Sequence, residues 1–372
     1  MILYLDNAAT SYPKPKSVLD AVRQCINTCG NPGRSSHKMA MESANEVFAC
    51  RCEICDYFGF GHPENVIFTL NATYAINLAI TAFYEEGTHV LLSDLEHNAT
   101  YRPIHRLASE GKITYSVFSH KGNVIENIKN ATTSKTRMLV CLHASNVTGE
   151  YLPIYEIGNY CKSKDIRFII DASQSAGHFP FMLKDLYFDA LCAPGHKGLL
   201  GIQGCGFVVI NGKKQQRDFV SGGTGSQSFL PHMPFSLPDR YEAGTLPVPA
   251  ICGLRYGIQY VREHPENLCY LETMTAKLHE EINDLIECNL VSVPTTSGIV
   301  SFTCERQEEY AKYCAENHIC LRSGYHCAPL AHKSIGTEKD GCIRVSLGIF
   351  TTEKEVEKFV SLTRAFFRRS GI

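Results

Sequence analysis

Apolar positions in the first half of the chain alternate between two periods. Val18, Leu19, Val22, Cys25 and Ile26 recur at helical spacing, and 39–58 forms a second helical run. Short β-rich runs follow at 65–70, 89–94, 115–118, 138–144, 167–172, 190–193 and 204–210, with helix-length segments at 72–83, 102–110 and 154–164 between many of them. This alternation predicts an α/β fold with a mainly parallel sheet and helices on both faces. Prolines at 231, 234, 238, 247 and 249, with Gly222, Gly223 and Gly225, mark a loop-rich crossing over 221–250. Beyond it the pattern becomes a long helical stretch (251–288), strands at 299–304, 320–322 and 343–347, and helices at 308–316 and 353–367. The expected organisation is a large domain over 15–250 and a smaller α+β domain built from 1–14 and 251–372.

Composition narrows the function classes. Lys and Arg total 36 against 38 Asp and Glu, a net charge of −2, which argues against a nucleic-acid footprint. The longest apolar stretches are strand-sized, so no membrane span is expected. The N-terminus turns polar after five residues without a basic region, so a cytoplasmic location is expected and the Asn-x-Thr sequons at Asn71, Asn98, Asn130 and Asn146 are not read as glycosylation sites. The 17 cysteines, an odd number, are too many and too dispersed for a small disulfide scaffold. Cys50, Cys52 and Cys55 have ligand-like spacing but lie in a helical pattern with no clear second ligand group, so they are read as packing thiols, and no metal is expected.

In α/β sheets ligands sit beyond the carboxyl ends of the strands. Reading off those positions gives Asn71-Ala72-Thr73, Glu96-His97-Asn98, Asn146, Asp171 with Gln174, and Gly195-His196-Lys197. Ala72 and Thr73 open a helix whose N-terminal N–H groups suit a phosphate. Asp171 ends an apolar strand, where a carboxylate needs a cation or several donors, and a protonated pyridine nitrogen is such a partner. A partly desolvated Lys197 is suited to imine formation, and His97 offers a ring that can stack. Taken singly, these residues read as a strand-end cap, a surface lysine and a core histidine. Five strand ends with complementary groups favour one shared site.

The residues resemble aminotransferase class V, and within it the cysteine desulfurases, enzymes that use pyridoxal 5′-phosphate (PLP). The resemblance runs from Tyr4-Leu5-Asp6-Asn7-Ala8-Ala9-Thr10 through Asn71-Ala72-Thr73, Glu96-His97, Ser145-Asn146-Val147-Thr148-Gly149, Asp171-Ala172-Ser173-Gln174 and Gly195-His196-Lys197. It continues through Arg240-Tyr241-Glu242-Ala243-Gly244-Thr245 to Arg322-Ser323-Gly324-Tyr325-His326-Cys327-Ala328, similar to the short-cysteine-loop branch that includes sulfur-mobilisation enzymes and selenocysteine lyases. It implies fold type I of the PLP-dependent enzymes. Lys197 is then the residue that holds the cofactor covalently, Asp171 pairs with the pyridine nitrogen, His97 stacks on the ring, and Asn146 and Gln174 bond its substituents. Ala72, Thr73 and His196 bind the phosphate, joined by Thr224 from a partner subunit, which implies a homodimer with composite sites. Arg344 grips the substrate carboxylate, with Asn146 also on the substrate side.

The implied reaction converts L-cysteine to L-alanine, with Cys327 taking the sulfur as a persulfide for an acceptor protein; Arg322 and His326 are the neighbours expected to favour its thiolate. Two positions depart from the family pattern: Pro194 where Ser is usual, and Tyr74 where Glu is common. Alternatives are a selenocysteine lyase, another class V reaction such as transamination, and, from a different class, a non-catalytic sulfur carrier or scaffold.

Overall fold

A computed structural model describes residues 2–33, 35–212 and 217–368. Its strands are β1 (Leu3–Tyr4), β2 (Val66–Thr69), β3 (Thr88–Ser93), β4 (Ile113–Phe118), β5 (Thr136–Leu142), β6 (Arg167–Asp171), β7 (Ala190–Pro194), β8 (Gly206–Ile210), β9 (Cys288–Leu290), β10 (Ile299–Cys304), β11 (Ile319–Cys320), β12 (Arg322–Gly324) and β13 (Cys342–Ser346). Its α-helices are α1 (Lys16–Thr28), α2 (Lys38–Phe58), α3 (Ala72–Phe83), α4 (Asn98–Ser109), α5 (Val124–Ala131), α6 (Ile154–Lys164), α7 (Val248–Glu263), α8 (Glu266–Asn283), α9 (Gln307–Glu316), α10 (Pro329–Ile335) and α11 (Glu353–Arg368).

Seven strands form the central sheet in the order β2-β8-β7-β6-β5-β3-β4. β4, β3, β5, β6 and β7 run parallel, and β8 pairs antiparallel with both β7 and β2. Strands such as Phe168-Ile169-Ile170 are apolar at every position because both faces are covered, and alternate residues enter different cores: Phe168 and Ile170 one, Ile169 the other. A four-stranded antiparallel-paired sheet, β12-β13-β10-β9, builds the smaller unit, with a core that draws Leu3 and Leu5 from the N-terminus.

α7 differs from the expected division at residue 250. Its Ile251, Leu254 and Ile258 are fully buried in the large core, at roughly 2 kcal/mol of burial each. Pro247 and Pro249 mark where this helix starts rather than where the core changes. The expected helix over 251–288 is two helices parted at His264-Pro265, followed by β9. Among the described residues no helix is long and apolar enough to cross a membrane.

Candidate active site

The loops after the parallel strands converge on one cleft of about 120 Å³, lined by Ala72, Thr73, His97, Asn146, Asp171, Gln174, Pro194, His196 and Lys197 among others. A neighbouring hollow shares Thr73, His97 and Ala99 with it and has Cys327 and Arg102 in its wall. Ten of the eleven residues expected at the site therefore belong to the cleft, its rim or the shell just behind it; Thr224 does not. Thr224 lines a separate groove with Gly33, Phe48 and Glu242, and its hydroxyl is 3.1 Å from that of Ser226.

Asn71 ends the β2 turn and caps α3 by accepting from the Tyr74 N–H at 3.1 Å. The first-turn N–H groups of Ala72 and Thr73 have no carbonyl within their own helix to meet, and both residues line the cleft. β8 can lie against this turn because residue 206 is glycine: a Cβ there would stand 2.6 Å from the Asn71 carbonyl carbon. Tyr74, where Glu is usual, points away from the site and meets Phe219 edge-on.

After β3, Glu96 is fully buried; its carboxyl accepts from the Leu142 N–H (2.9 Å) and the Ser93 hydroxyl, and burial pushes it up to about 8. His97 caps α4, its Nδ1 accepting from the Ala99 N–H at 3.0 Å. Burial holds this imidazole down to about 4, so it is a neutral ring at neutral pH. Asn146 donates from Nδ2 to the His326 carbonyl (2.8 Å), and Gln174 donates from Nε2 to the Ala8 carbonyl (3.1 Å). At the end of β6, Asp171 accepts from the Ser173 N–H at 2.8 Å.

Lys197 sits on the turn after β7, where burial brings its ammonium down to about 8; Arg344 and Arg322 act in the same direction and Asp171 opposes them. The turn is clamped by the N-terminal segment. The Ser11 hydroxyl donates to the Lys197 carbonyl (2.9 Å), and Lys14 Nζ donates to the His196 carbonyl (2.9 Å). Gly198 packs so closely that a Cβ would lie 2.4 Å from the Ala176 carbonyl oxygen, locking the lysine turn to the turn that carries Asp171.

Arg344, on β13, is almost fully buried and sends one guanidinium nitrogen to Asp6 (2.8 Å) and another to the Asn146 carbonyl (3.1 Å), leaving Nε without a partner. Of the two neighbours expected beside Cys327, Arg322 approaches it, with 3.8 Å between its terminal nitrogen and Sγ. His326 does not serve as expected. Its ring turns inward, Nε2 3.1 Å from the Cys342 carbonyl, and burial holds it down to about 3, so it carries no charge to place beside the thiol. The cysteine loop is short because α10 starts at Pro329, two residues after Cys327. Cys327 and Cys269 are exposed, while the other cysteines are buried or half-buried, Cys50 and Cys55 among the core thiols of α2.

Four polar atoms of the site residues are buried without a partner: His196 Nδ1, Asn146 Oδ1, Gln174 Oε1 and Arg344 Nε. Such atoms are costly unless something supplies the missing bonds. PLP fits this donor set, with an amine for its aldehyde, a helix N-terminus for its phosphate and a carboxylate for its ring nitrogen. Asp6, Ser11, Lys14 and Glu96 also shape the site. Asp6 and Glu96 stand inside the recognised motifs, yet no residue-level signal marked their partners.

The aminotransferase class V family model matches residues 3–359. A probable cysteine desulfurase of Methanothermobacter thermautotrophicus is 28% identical over 377 residues, covering 95% of this chain and 92% of that protein. The apo structure of a cysteine desulfurase from Thermococcus onnurineus NA1 superposes with a TM-score of 0.89 at 24% identity, over 98% of this chain and 94% of that one. A mutant of C-DES with glycine covalently linked to its PLP cofactor gives 0.81 at 21% identity, over 97% and 95%. With a family match spanning nearly its whole length, this chain belongs to aminotransferase class V.

Proposed function

We propose that the protein is a PLP-dependent cysteine desulfurase, which converts L-cysteine to L-alanine and takes the sulfur onto Cys327 as a persulfide. The observation that carries this is the pairing of a desolvated lysine with an exposed cysteine: Cys327 opens onto a hollow that shares Thr73 and His97 with the Lys197 cleft. The family match and the names of the similar proteins support the same reading.

When bound, PLP supplies a ring that accepts the electron pair released at the substrate α-carbon. Lys197 would hold the cofactor through Nζ and, with substrate bound, would move the α-proton; burial keeps its amine free of a proton near neutral pH more often than an ordinary lysine. Asp171 would pair with the ring nitrogen, the neutral His97 ring would stack on the ring, and Ala72, Thr73 and His196 would hold the phosphate. Ser11 and Lys14 hold the turn beneath. Arg344 binds the substrate carboxylate with Asn146 beside it, oriented by Asp6. Cys327 Sγ then attacks the substrate sulfur: the S–S bond forms, the Cβ–S bond breaks, its electron pair stays on Cβ and is protonated there, Lys197 returns the proton to Cα, and alanine leaves. A thiol acceptor removes the outer sulfur and restores Cys327.

The composite site is a homodimer in which Thr224 reaches the partner's cleft. This accounts for Thr224 standing outside its own cleft and for the exposed Phe229 and Phe235 on the same loop-rich crossing. Incubating the protein with L-cysteine and a thiol reductant should give alanine and sulfide in equal amounts. Lys197→Ala should lose the visible absorbance of bound PLP and both products, and alanine formation by Lys197→Ala at the wild-type rate would contradict the reading. Turnover of L-selenocysteine alone would assign a selenocysteine lyase instead.

A further inference from the structure

Directly behind the Cys327 turn lie three side chains that the reaction does not use: His326, His332 and Cys342. All three are buried, at 3%, 0% and 0% exposure, and one nitrogen of each ring and the Cys342 sulfur lie within 4.8 Å of one another. They come from three elements, the Cys327 turn, α10 and the start of β13.

We propose that these residues form a binding site for one zinc-class divalent cation, with two imidazole ligands and one thiolate, whose occupancy pins the Cys327 turn. Three features of the cluster support it. The Cys342 sulfur is 3.4 Å from His326 Nε2, and Zn–S near 2.3 Å with Zn–N near 2.0–2.1 Å puts the N···S edge of a tetrahedron at about 3.6 Å. His332 Nδ1 is 2.6 Å from the Thr337 hydroxyl, a bond that fixes the ring and leaves Nε2, which is buried without a partner, as the ligating nitrogen. Burial keeps both rings in the neutral form that ligates.

Binding displaces the contact between His326 Nε2 and the Cys342 carbonyl and releases one proton, from the Cys342 thiol, to solvent. Tyr325, exposed, packs edge-on against His332 at 5.5 Å between ring centroids, which places the cluster one ring below the surface. The ion reaches Cys327 through the chain itself. His326 and Cys327 both have left-handed backbone, φ 47° and 58°, and the His326 carbonyl is held by Asn146. Fixing the His326 ring therefore restrains the turn that carries the nucleophile. That consequence rests on the reading of Cys327 above; the metal site does not.

The test uses the full chain purified with PLP and exchanged into metal-free buffer. In a Cys327→Ser background, which removes the exposed competing thiol, Cd²⁺ titration should give one equivalent of tight binding with a thiolate-to-metal absorption band, and Zn²⁺ should displace it. Cys342→Ser should abolish the band, and His332→Gln should weaken binding at least tenfold, with the PLP absorbance reporting that each variant is folded. Absence of a stoichiometric band in the Cys327→Ser protein, or a band of full strength in Cys342→Ser, would overturn the site. If Cys342→Ser does not fold, proton release decides: about one proton per Cd²⁺ at neutral pH supports the site, and none contradicts it. Absence of desulfurase activity in the PLP-loaded chain with Cys327 intact, with metal binding intact, would instead indict the functional reading.

Discussion

Cys327 is set by its backbone more than by its side-chain neighbours. Two consecutive non-glycine residues in the left-handed region cost of order 1 kcal/mol or more each, and the turn is held by the Asn98 N–H on the Cys327 carbonyl at 2.7 Å and by Asn146 on the His326 carbonyl. The strand-end groups, from Thr73 to Lys197, were legible because a parallel sheet dictates where polar residues must gather. The inward turn of His326 and the Asp6–Arg344 pair were not, since both depend on partners distant in sequence, 338 residues apart for the pair. Arg344 offers two donors in one plane, which an ammonium cannot reproduce. Arg344→Lys should raise KM for L-cysteine by about tenfold or more with a smaller change in kcat, measured by alanine formation. An unchanged KM would remove Arg344 from the substrate.

At the scale of elements, Arg240–Thr245 reads in the sequence as part of the family resemblance, and the structure gives Glu242 within it a structural task. Glu242 accepts from the Phe68 N–H (2.7 Å) and from Arg51 (2.6 Å), and Arg51 also donates to the Val66 carbonyl. This buried pair ties α2, β2 and the loop together beside the phosphate turn. Removing one member of such a pair typically costs about 3–5 kcal/mol, because the other charge stays buried. Arg51→Leu should therefore lower the urea midpoint of unfolding substantially, and Asn71→Ala, which removes a helix cap, should cost about 1 kcal/mol and weaken PLP retention. The long helices and the sheet strands were visible as periodic runs. α5 was not: in its eight residues only Ile128 is buried, so no apolar stripe marks it. The break at His264-Pro265 was hidden because helical periodicity continues on both sides.

Across the whole molecule, the fold carries several histidines in neutral form. Burial holds His143 and His326 down to about 3, and His97 and His196 to about 4. In the unfolded chain each titrates near 6.5, so between that value and its folded value the unfolded state binds more protons and stability falls as pH falls. Glu96, raised to about 8, has the opposite sign and loses its contribution as pH rises from its unfolded value through 8. Asp189 and Glu242, also raised by burial, act with the same sign as Glu96, but four histidines held this far down outweigh these carboxyls in the acid range, so Tm should fall steadily below about pH 6.5. Measured by thermal unfolding at a series of pH values, a flat Tm between pH 6.5 and 4.5 would contradict this. The same balance reflects a site built inside a covered sheet, where 15 of the 17 cysteines are buried or half-buried and one of the two exposed thiols, Cys327, opens beside the cofactor cleft.

The central claim is that sulfur leaves L-cysteine onto Cys327. Reacting the PLP-loaded protein with L-cysteine without reductant, then mapping peptides by mass spectrometry, tests it most directly. One added sulfur atom on the Cys327 peptide, released by reductant and matched by one equivalent of alanine, is the predicted result. Alanine formed at the same rate by Cys327→Ser, or the added sulfur found on Cys269 with Cys327 unmodified, would contradict it.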